Sequence, residues 1–356
     1  MKILHTSDIH LREYNDERWN ALISLLETAK KESIDLFVIS GDLFDKDVNA
    51  EFLRQYLRNY FSDNGFDIII LPGNHDSNSF GNSDSGLYFG SDVSIIDDLY
   101  KPIEYNNVRV WGFPFEFISK EEILLRLDKI KDDITSDKIN LLLYHGELTD
   151  AFFSKSEFGD EGEERYMPCK LSYFKDLNFN YILAGHFHTR FDIRKPNENC
   201  YFIYPGSPIS LTRREKGLRK VNIFEIGEAP KEFVLDTPHY EEIIIEFDPF
   251  SEEDYLETLR GRINKLHLNA RVHLTVKGYI NSKSLGMNET TLVKEIDEIV
   301  GTRNVERLFL LEDIEEIFED ELFQKFNKML IEKGYNEEKK EQMRNLVIVA
   351  MRRLKE

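Results

Sequence analysis

The residues of this sequence best suited to chemistry are histidines, carboxylates and one asparagine, gathered at the ends of short apolar runs. "LAGHFHTR" sets His186 and His188 on alternate positions, and "SDIH" does the same with Asp8 and His10. "GDLFD" offers Asp42, "GNHD" offers Asn74, His75 and Asp76, and "YHGE" offers His145. Alternate residues of a strand share a face, so each pair can aim at one point. Carboxylate, amide oxygen and imidazole form a mixed donor set suited to Mn²⁺, Fe or Zn²⁺. A thiolate site needs clustered cysteines, and Cys169 and Cys200 lack the close repeated spacing of a zinc ribbon or a disulfide framework. Both are read as reduced and structural. A lone histidine is more often a packed or surface residue than a ligand, but these motifs occurring together point to a shared dinuclear site.

Such a site needs elements that bring remote motifs together. The runs "KILHTSDIH", "DLFVISGDLFD", "DIIILPGNHD", "NLLLYHGE" and "YILAGHFH" read as buried strands followed by loops. Between the first two, Trp19, Leu22, Ile23, Leu26 and Ala29 recur at helical spacing; between the second and third, Phe52, Leu53, Tyr56, Leu57 and Tyr60 do so. Strand alternating with helix predicts an α/β domain whose loops converge at one edge of the sheet. Pro230 and Pro238 flank a boundary, giving a core over residues 1–238. Residues 239–313 change pattern to a compact α+β module with strands in "YEEIIIEFD", "RVHLTVKGY" and "VERLFLLED". Residues 314–356 carry two amphipathic helices, one with the stripe Leu322, Phe323, Phe326, Met329 and Leu330, the other with Met343, Leu346, Val347, Ala350, Met351 and Leu354. Gly334 supplies the stop between them.

Composition narrows the class. Apolar residues make up 41% and charged residues 31% of the 356, which fits a folded globular chain rather than a disordered one. No run approaches the roughly 18 apolar residues of a membrane span, and "MKILHTSDIH" meets polar residues too early for a signal peptide, so a cytoplasmic protein is expected. A net charge of -20 excludes gripping a polyanion with the whole surface, because such affinity rests on displaced counterions. Nucleic-acid binding would have to rely on local basic patches, metals or a partner.

Taken in order, D-x-H, G-D-x, G-N-H-D, H-G and G-H-x-H resemble the metallophosphoesterase superfamily over roughly the first two-thirds of the chain. The resemblance implies a layered core of sheets flanked by helices. It implies one metal on Asp8, His10 and His188, a second on Asn74, His145 and His186, and Asp42 bridging the two. It further implies phosphodiester hydrolysis by a bridging hydroxide, with His75 as the non-ligand histidine that orients the phosphate and assists the leaving group. Asp76 either supports His75 or shapes its turn.

Within that superfamily, "SDIHL" at the start, "YPGSPIS" after G-H-x-H, and a core followed by a small module and terminal helices resemble the SbcD-type DNA repair exonucleases. That resemblance implies two metal ions, Mn²⁺ above all, a homodimer, and a coiled-coil ATPase of SbcC type docked on the terminal helices. It implies 3′-to-5′ exonuclease action on duplex DNA and endonuclease action on single strands and hairpins, with the α+β module as a DNA-facing cap. "TRREKGLRK" places Arg213, Arg214, Lys216, Arg219 and Lys220 in one run that DNA could use, and Arg12 could meet a phosphate. Two departures stand out: Arg12 follows D-x-H-L where Gly is common, and Asp45 stands where some relatives carry histidine. The competing readings are a phosphodiesterase or phosphatase for nucleotides or other small esters, and a non-catalytic DNA-repair scaffold.

Overall fold

A computed structural model describes residues 1–76, 79–80, 88–150 and 166–355. The chain divides into two compact units, Met1–Tyr240 and Glu241–Glu356.

In the first unit, β1 (Lys2–Thr6), α1 (Glu17–Lys31), β2 (Leu36–Ser40), α2 (Ala50–Phe61), β3 (Asp67–Leu71) and β4 (Val93–Ile95) follow one another. Then come β5 (Ile103–Tyr105), β6 (Val108–Phe113), α3 (Lys120–Ile130), β7 (Ile139–His145), β8 (Tyr181–Gly185), β9 (Asp192–Asn197), β10 (Cys200–Tyr204), β11 (Lys220–Glu225) and β12 (Glu232–Val234). They build two six-stranded sheets, ordered β12-β11-β1-β2-β3-β4 and β5-β6-β7-β8-β10-β9. The motif-bearing strands are parallel neighbours, β1, β2 and β3 in one sheet and β7 and β8 in the other. Their ends are therefore shared between two sheets, where the pattern alone suggested the edge of one.

Alternation along each strand explains the layering. Ile3, Leu36, Val38, Ile69 and Leu71 of the first sheet share one buried cluster with Val108, Val110, Leu141, Leu143 and Leu183 of the second. The intervening residues Leu4, Phe37, Ile39, Ile68 and Ile70 turn outward onto Leu22, Leu25 and Leu26 of α1 and Leu53, Leu57 and Phe61 of α2. On the second sheet, Trp111, Phe113, Leu142 and Tyr144 turn outward onto Ile123, Leu127 and Ile130 of α3. Helix, sheet, sheet, helix is the result. Strands covered on both faces must be apolar throughout, which is why the runs are continuous. Each fully buried Leu, Ile or Phe contributes roughly 1.5–3 kcal/mol.

The helices begin where short polar side chains take up free N–H groups. Asp16 accepts from Trp19 N at 2.7 Å to open α1, and Asn49 accepts from Phe52 N at 3.1 Å to open α2. On α2 the buried stripe is Ala50, Leu53, Leu57 and Phe61. Phe52 and Tyr60, assigned to the apolar positions from spacing, are exposed.

From Glu241 on, the second unit has most of β13 (His239–Phe247), then α4 (Tyr255–Lys265), β14 (Ala270–Ile280), α5 (Ser282–Leu285), α6 (Glu289–Val300) and β15 (Val305–Asp313). The sheet order is β13-β14-β15, with Leu259, Ile263, Leu292 and Ile296 of α4 and α6 in its core. A short α7 (Glu315–Glu319) precedes α8 (Glu321–Glu332) and α9 (Glu337–Lys355), so the expected pair of terminal helices has a third, shorter companion. Gly334 takes φ +64° between α8 and α9, a left-handed stop. The small cluster there is Ile314, Ile317, Phe323 and Ile348. Leu322, Met329, Leu346 and Leu354 of the expected stripes are exposed. No helix among the described residues is long and apolar enough to cross a membrane.

Candidate metal centre

The loops after β1 and β2 continue the pairing of their strands by backbone bonds: Asp8 N to Gly41 O at 3.1 Å, His10 N to Asp42 O at 3.0 Å and Leu11 N to Leu43 O at 2.9 Å. Asp8, His10 and Asp42 sit there with φ of 56°, 52° and 53°, and His186 after β8 has φ 92°. A left-handed non-glycine residue costs on the order of 1–3 kcal/mol and persists only where its surroundings fix it. Here the stitched loops supply that restraint.

Two sheets joined at their strand ends need close approach, and glycine permits it. A Cβ on Gly41 would lie 1.9 Å from His145 Nδ1, and one on Gly185 would lie 2.0 Å from Ser40 O. Across this junction His186 N donates to Asp8 Oδ1 and Oδ2 at 3.0 and 3.1 Å, tying β8 to β1.

The side chains converge as carboxylate and imidazole groups whose donor atoms lie within 4.8 Å of one another: Asp8, His10, Asp42 and His188 form one, Asp42, His145 and His186 another, and His10, Asp45 and His75 a third. His10 Nε2 and His188 Nε2 are 3.3 Å apart, and His188 Nε2 is 3.4 Å from Asp8 Oδ1. Asp42 Oδ2 lies 3.6 Å from His10 Nε2 and 3.3 Å from His145 Nε2, so one oxygen adjoins both sides. Asn74 Oδ1 is 2.9 Å from His145 Nε2. His145 Nδ1 meets Ser40 O at 2.9 Å; with the proton on that nitrogen, Nε2 is left as a donor to a cation.

Asp8, Asp42, His145 and His186 are completely buried. Among the described residues, neither Asp8 nor Asp42 has a Lys or Arg ion pair; histidines supply the compensation. Burial alone would raise Asp8, but the charge and hydrogen bond of His188 bring it down to about 2. Burial likewise opposes ionisation of Asp42, and the charge and hydrogen bond of His145 hold it well below the usual carboxylate range. Burial would lower His145, yet Asp42 and Asp8 raise it to about 9. Buried carboxylates that recruit protons onto surrounding imidazoles are a cavity built for positive charge.

All the sequence-derived donors meet here, with His75 at their rim; its ring centroid is 4.7 Å from that of His10. Asp76 serves the turn: its oxygens accept from Gly73 N at 2.7 Å and Phe44 N at 3.1 Å. Burial and the charge of Asp42 push Asp76 up to about 7. Arg12 pairs with Asp45 while most of its side chain stays exposed. Arg213 and Arg214 are exposed, whereas Arg219 of the same run is buried and cannot face DNA. It holds instead the His188 carbonyl, and also Ser207 O and Thr189 O at 3.0 Å each.

Sequence reasoning passed over the partners that aim the histidines. Glu215 Oε1 stands 3.7 Å from His188 Nδ1, and its carboxylate accepts from Ser207 Oγ and Leu211 N at 2.8 Å. Burial opposes the Glu215 charge, but His188 and Arg219 bring it to about 2. Its only trace in the sequence is an acid inside a basic run. Asp45 Oδ1 lies 3.3 Å from His75 Nδ1 and 3.6 Å from His10 Nδ1, while Arg18 Nη1 holds Oδ2 at 2.7 Å.

The fold and this site define a class. The chain belongs to the calcineurin-like phosphoesterase family, the match spanning residues 1–190. It is a metal-dependent phosphoesterase, a hydrolase. It is 25% identical over 313 residues to the SbcD subunit of the nuclease SbcCD from Staphylococcus epidermidis, covering 77% of this chain and 78% of that one. Among solved structures, TT1561 of Thermus thermophilus and a dimetal phosphatase from Danio rerio each align at 13% identity with a TM-score of 0.42. They cover 62% of this chain and 92% and 91% of their own.

Proposed function

We propose that this chain is a DNA nuclease, a 3′-to-5′ exonuclease on duplex DNA and an endonuclease on single strands and hairpins, working with an SbcC-type coiled-coil ATPase. The observation that carries the reading is the extent of the similarity to a nuclease subunit: 77% of the chain reaches beyond the phosphoesterase unit, which ends at Tyr240. A phosphatase of the same family would need no likeness there.

The residues fit a pair of divalent cations, since Asp42 Oδ2 adjoins both donor groups and Asp8 and Asp42 lack Lys or Arg partners among the described residues. Asp8, His10 and His188 would hold one ion, Asn74, His145 and His186 the other, and Asp42 both. The mixed oxygen and nitrogen donors suit Mn²⁺. Bound there, such ions supply Lewis-acid stabilisation of the phosphate charge and activate water. The chain's own groups do the rest. His75 turns Nδ1 to Asp45, so the proton it can give to the departing oxygen sits on Nε2. Asp45 orients the ring and offsets the charge of the imidazolium, which carries a proton on each nitrogen, and is itself fixed by Arg18 and by Lys46 N at 2.8 Å. Glu215 and Arg219 keep His188 and its carbonyl in register.

Two partners belong to this reading. Exposed Leu322, Leu346 and Leu354 on α8 and α9 support docking of the ATPase by helix-in-groove contacts. Pairing with a second copy of the chain follows from the SbcD-type resemblance.

The test uses metal-stripped protein with end-labelled duplex and hairpin DNA, with Mn²⁺, Mg²⁺ or Zn²⁺ restored separately. Mn²⁺ is expected to restore shortening from 3′ ends and hairpin opening with 5′-phosphorylated products. His75→Leu should cut at least about 100-fold more slowly while binding Mn²⁺ as the wild type does. Turnover of small phosphoesters with intact DNA throughout would refute the nuclease reading.

A further inference from the structure

Beside the metal-ligand cluster stands an aromatic group that the chemistry above does not use. Phe115 and Phe117 follow the carboxyl end of β6, a parallel neighbour of β7, which in turn neighbours β8; the ends of β7 and β8 carry His145 and lead to His186. Phe115 and Phe117 meet at 5.1 Å between ring centroids, and Tyr166 lies 5.9 and 6.0 Å from them. The Tyr166 ring is in turn 5.3 Å from that of His186. Phe115 is buried, but Phe117 is 73% exposed, the most exposed phenylalanine among the described residues.

The group is rigid. Tyr166 exchanges backbone and side-chain bonds with Glu147, through Glu147 N to Tyr166 O at 3.0 Å and Tyr166 N to Glu147 Oε1 at 3.2 Å. The hydroxyl of Tyr144 donates to Met167 O, and Glu116 N meets Met167 Sδ at 3.3 Å. An apolar ring exposed to water on a hydrogen-bonded scaffold, one ring away from a phosphate-handling site, is placed for a planar apolar ligand.

Building on the nuclease reading, we infer that Phe117, backed by Phe115 and Tyr166, stacks against the base of a nucleotide flanking the scissile phosphate. A base lies one sugar away from its phosphate, and Phe117 lies one ring, that of Tyr166, away from His186. Every base has a π-face, so stacking grips any sequence alike. It also needs no positive charge, which suits a chain whose net charge is -20.

The experiment compares full-length wild type, Phe117→Ala and Phe117→Trp with Mn²⁺ on end-labelled single strands. The strands are either intact or carry an abasic residue on the 5′ or the 3′ side of one phosphate. Phe117→Ala is expected to lower kcat/KM on intact DNA by at least about 5-fold, and Phe117→Trp to restore it. With the abasic residue on one of the two sides, wild type should fall to the rate of the alanine variant on intact DNA, and the two losses should not add. Unchanged cutting by Phe117→Ala, equal losses on intact and abasic strands, or a tryptophan variant as slow as alanine overturns the inference alone. A wild type that cuts none of the strands overturns the nuclease reading and this inference with it.

Discussion

At the scale of single residues, the centre is a balance between buried negative charge and whatever compensates it. In metal-free protein His145 is raised from 6.5 to about 9, so its stabilising contribution is complete below 6.5 and is lost as pH climbs through about 9. Asp8 is lowered from 3.8 to about 2, so its contribution is present above 3.8 and is lost as pH falls through about 2. Between 3.8 and 6.5 both of these contributions are complete, and that of His145 fades toward pH 9. A cation replaces the proton on His145, so Mn²⁺ should raise Tm more at pH 9 than at pH 6. Thermal melts at both pH values check this, and equal rises would contradict it. Glu215 acts one layer further out. It faces His188 Nδ1 at 3.7 Å, so Glu215→Gln should weaken one of two cation sites by roughly 10–100-fold and spare the other. Competition titration against a chelator resolves the two affinities.

At the scale of elements, strand ends from two sheets must touch, and the side chains allowed at the junction are correspondingly small. Gly41 has φ +94° and its absent Cβ would fall on the His145 ring. Gly41→Ala should therefore displace His145 and lower bound Mn²⁺ from two ions toward one per chain, measured by elemental analysis after gel filtration, with the strands still formed by circular dichroism. The strands themselves are plain in the sequence because burial on both faces leaves only apolar residues, as in "LFVIS", whose five residues are all buried. The convergence of Asp8, Asp42, His145 and His186 is legible for the same reason, since each stands at or just beyond the end of such a run. Division into two sheets is not legible, because a parallel strand looks alike whichever sheet it joins. Nor are Glu215 and Arg219: a charged residue buried by its partners has the same letter as one in water. Helical spacing places Leu53 and Leu57 correctly, but aromatic residues such as Phe52 and Tyr60 can sit at the stripe's edge and stay exposed.

At the scale of the whole molecule, the proposed substrate and the protein carry charge of the same sign, and that sets how the isolated chain can hold DNA. With a net charge of -20, long-range attraction is absent, so binding must come from the cations that stand out locally. Arg12, Lys46, Arg190, Arg213, Arg214 and Lys216 are the exposed cations of the motif loops, since Arg219 is buried behind His188. If each neutralises one phosphate, the slope of log K against log salt is about 0.9 per contact. The metal-free chain should then show a slope no steeper than about -5. Arg213→Glu combined with Arg214→Glu should remove roughly a third of it, with little change in Tm because both side chains are exposed. Adding the coiled-coil ATPase should steepen the slope if, as proposed, the partner supplies the duplex-binding surface. Fluorescence anisotropy on a labelled duplex at several salt concentrations measures all three values. Nanomolar binding by the chain alone at physiological salt, with a slope well beyond about six contacts, would mean that a basic surface outside these loops grips the DNA, and the dependence on a partner would fall.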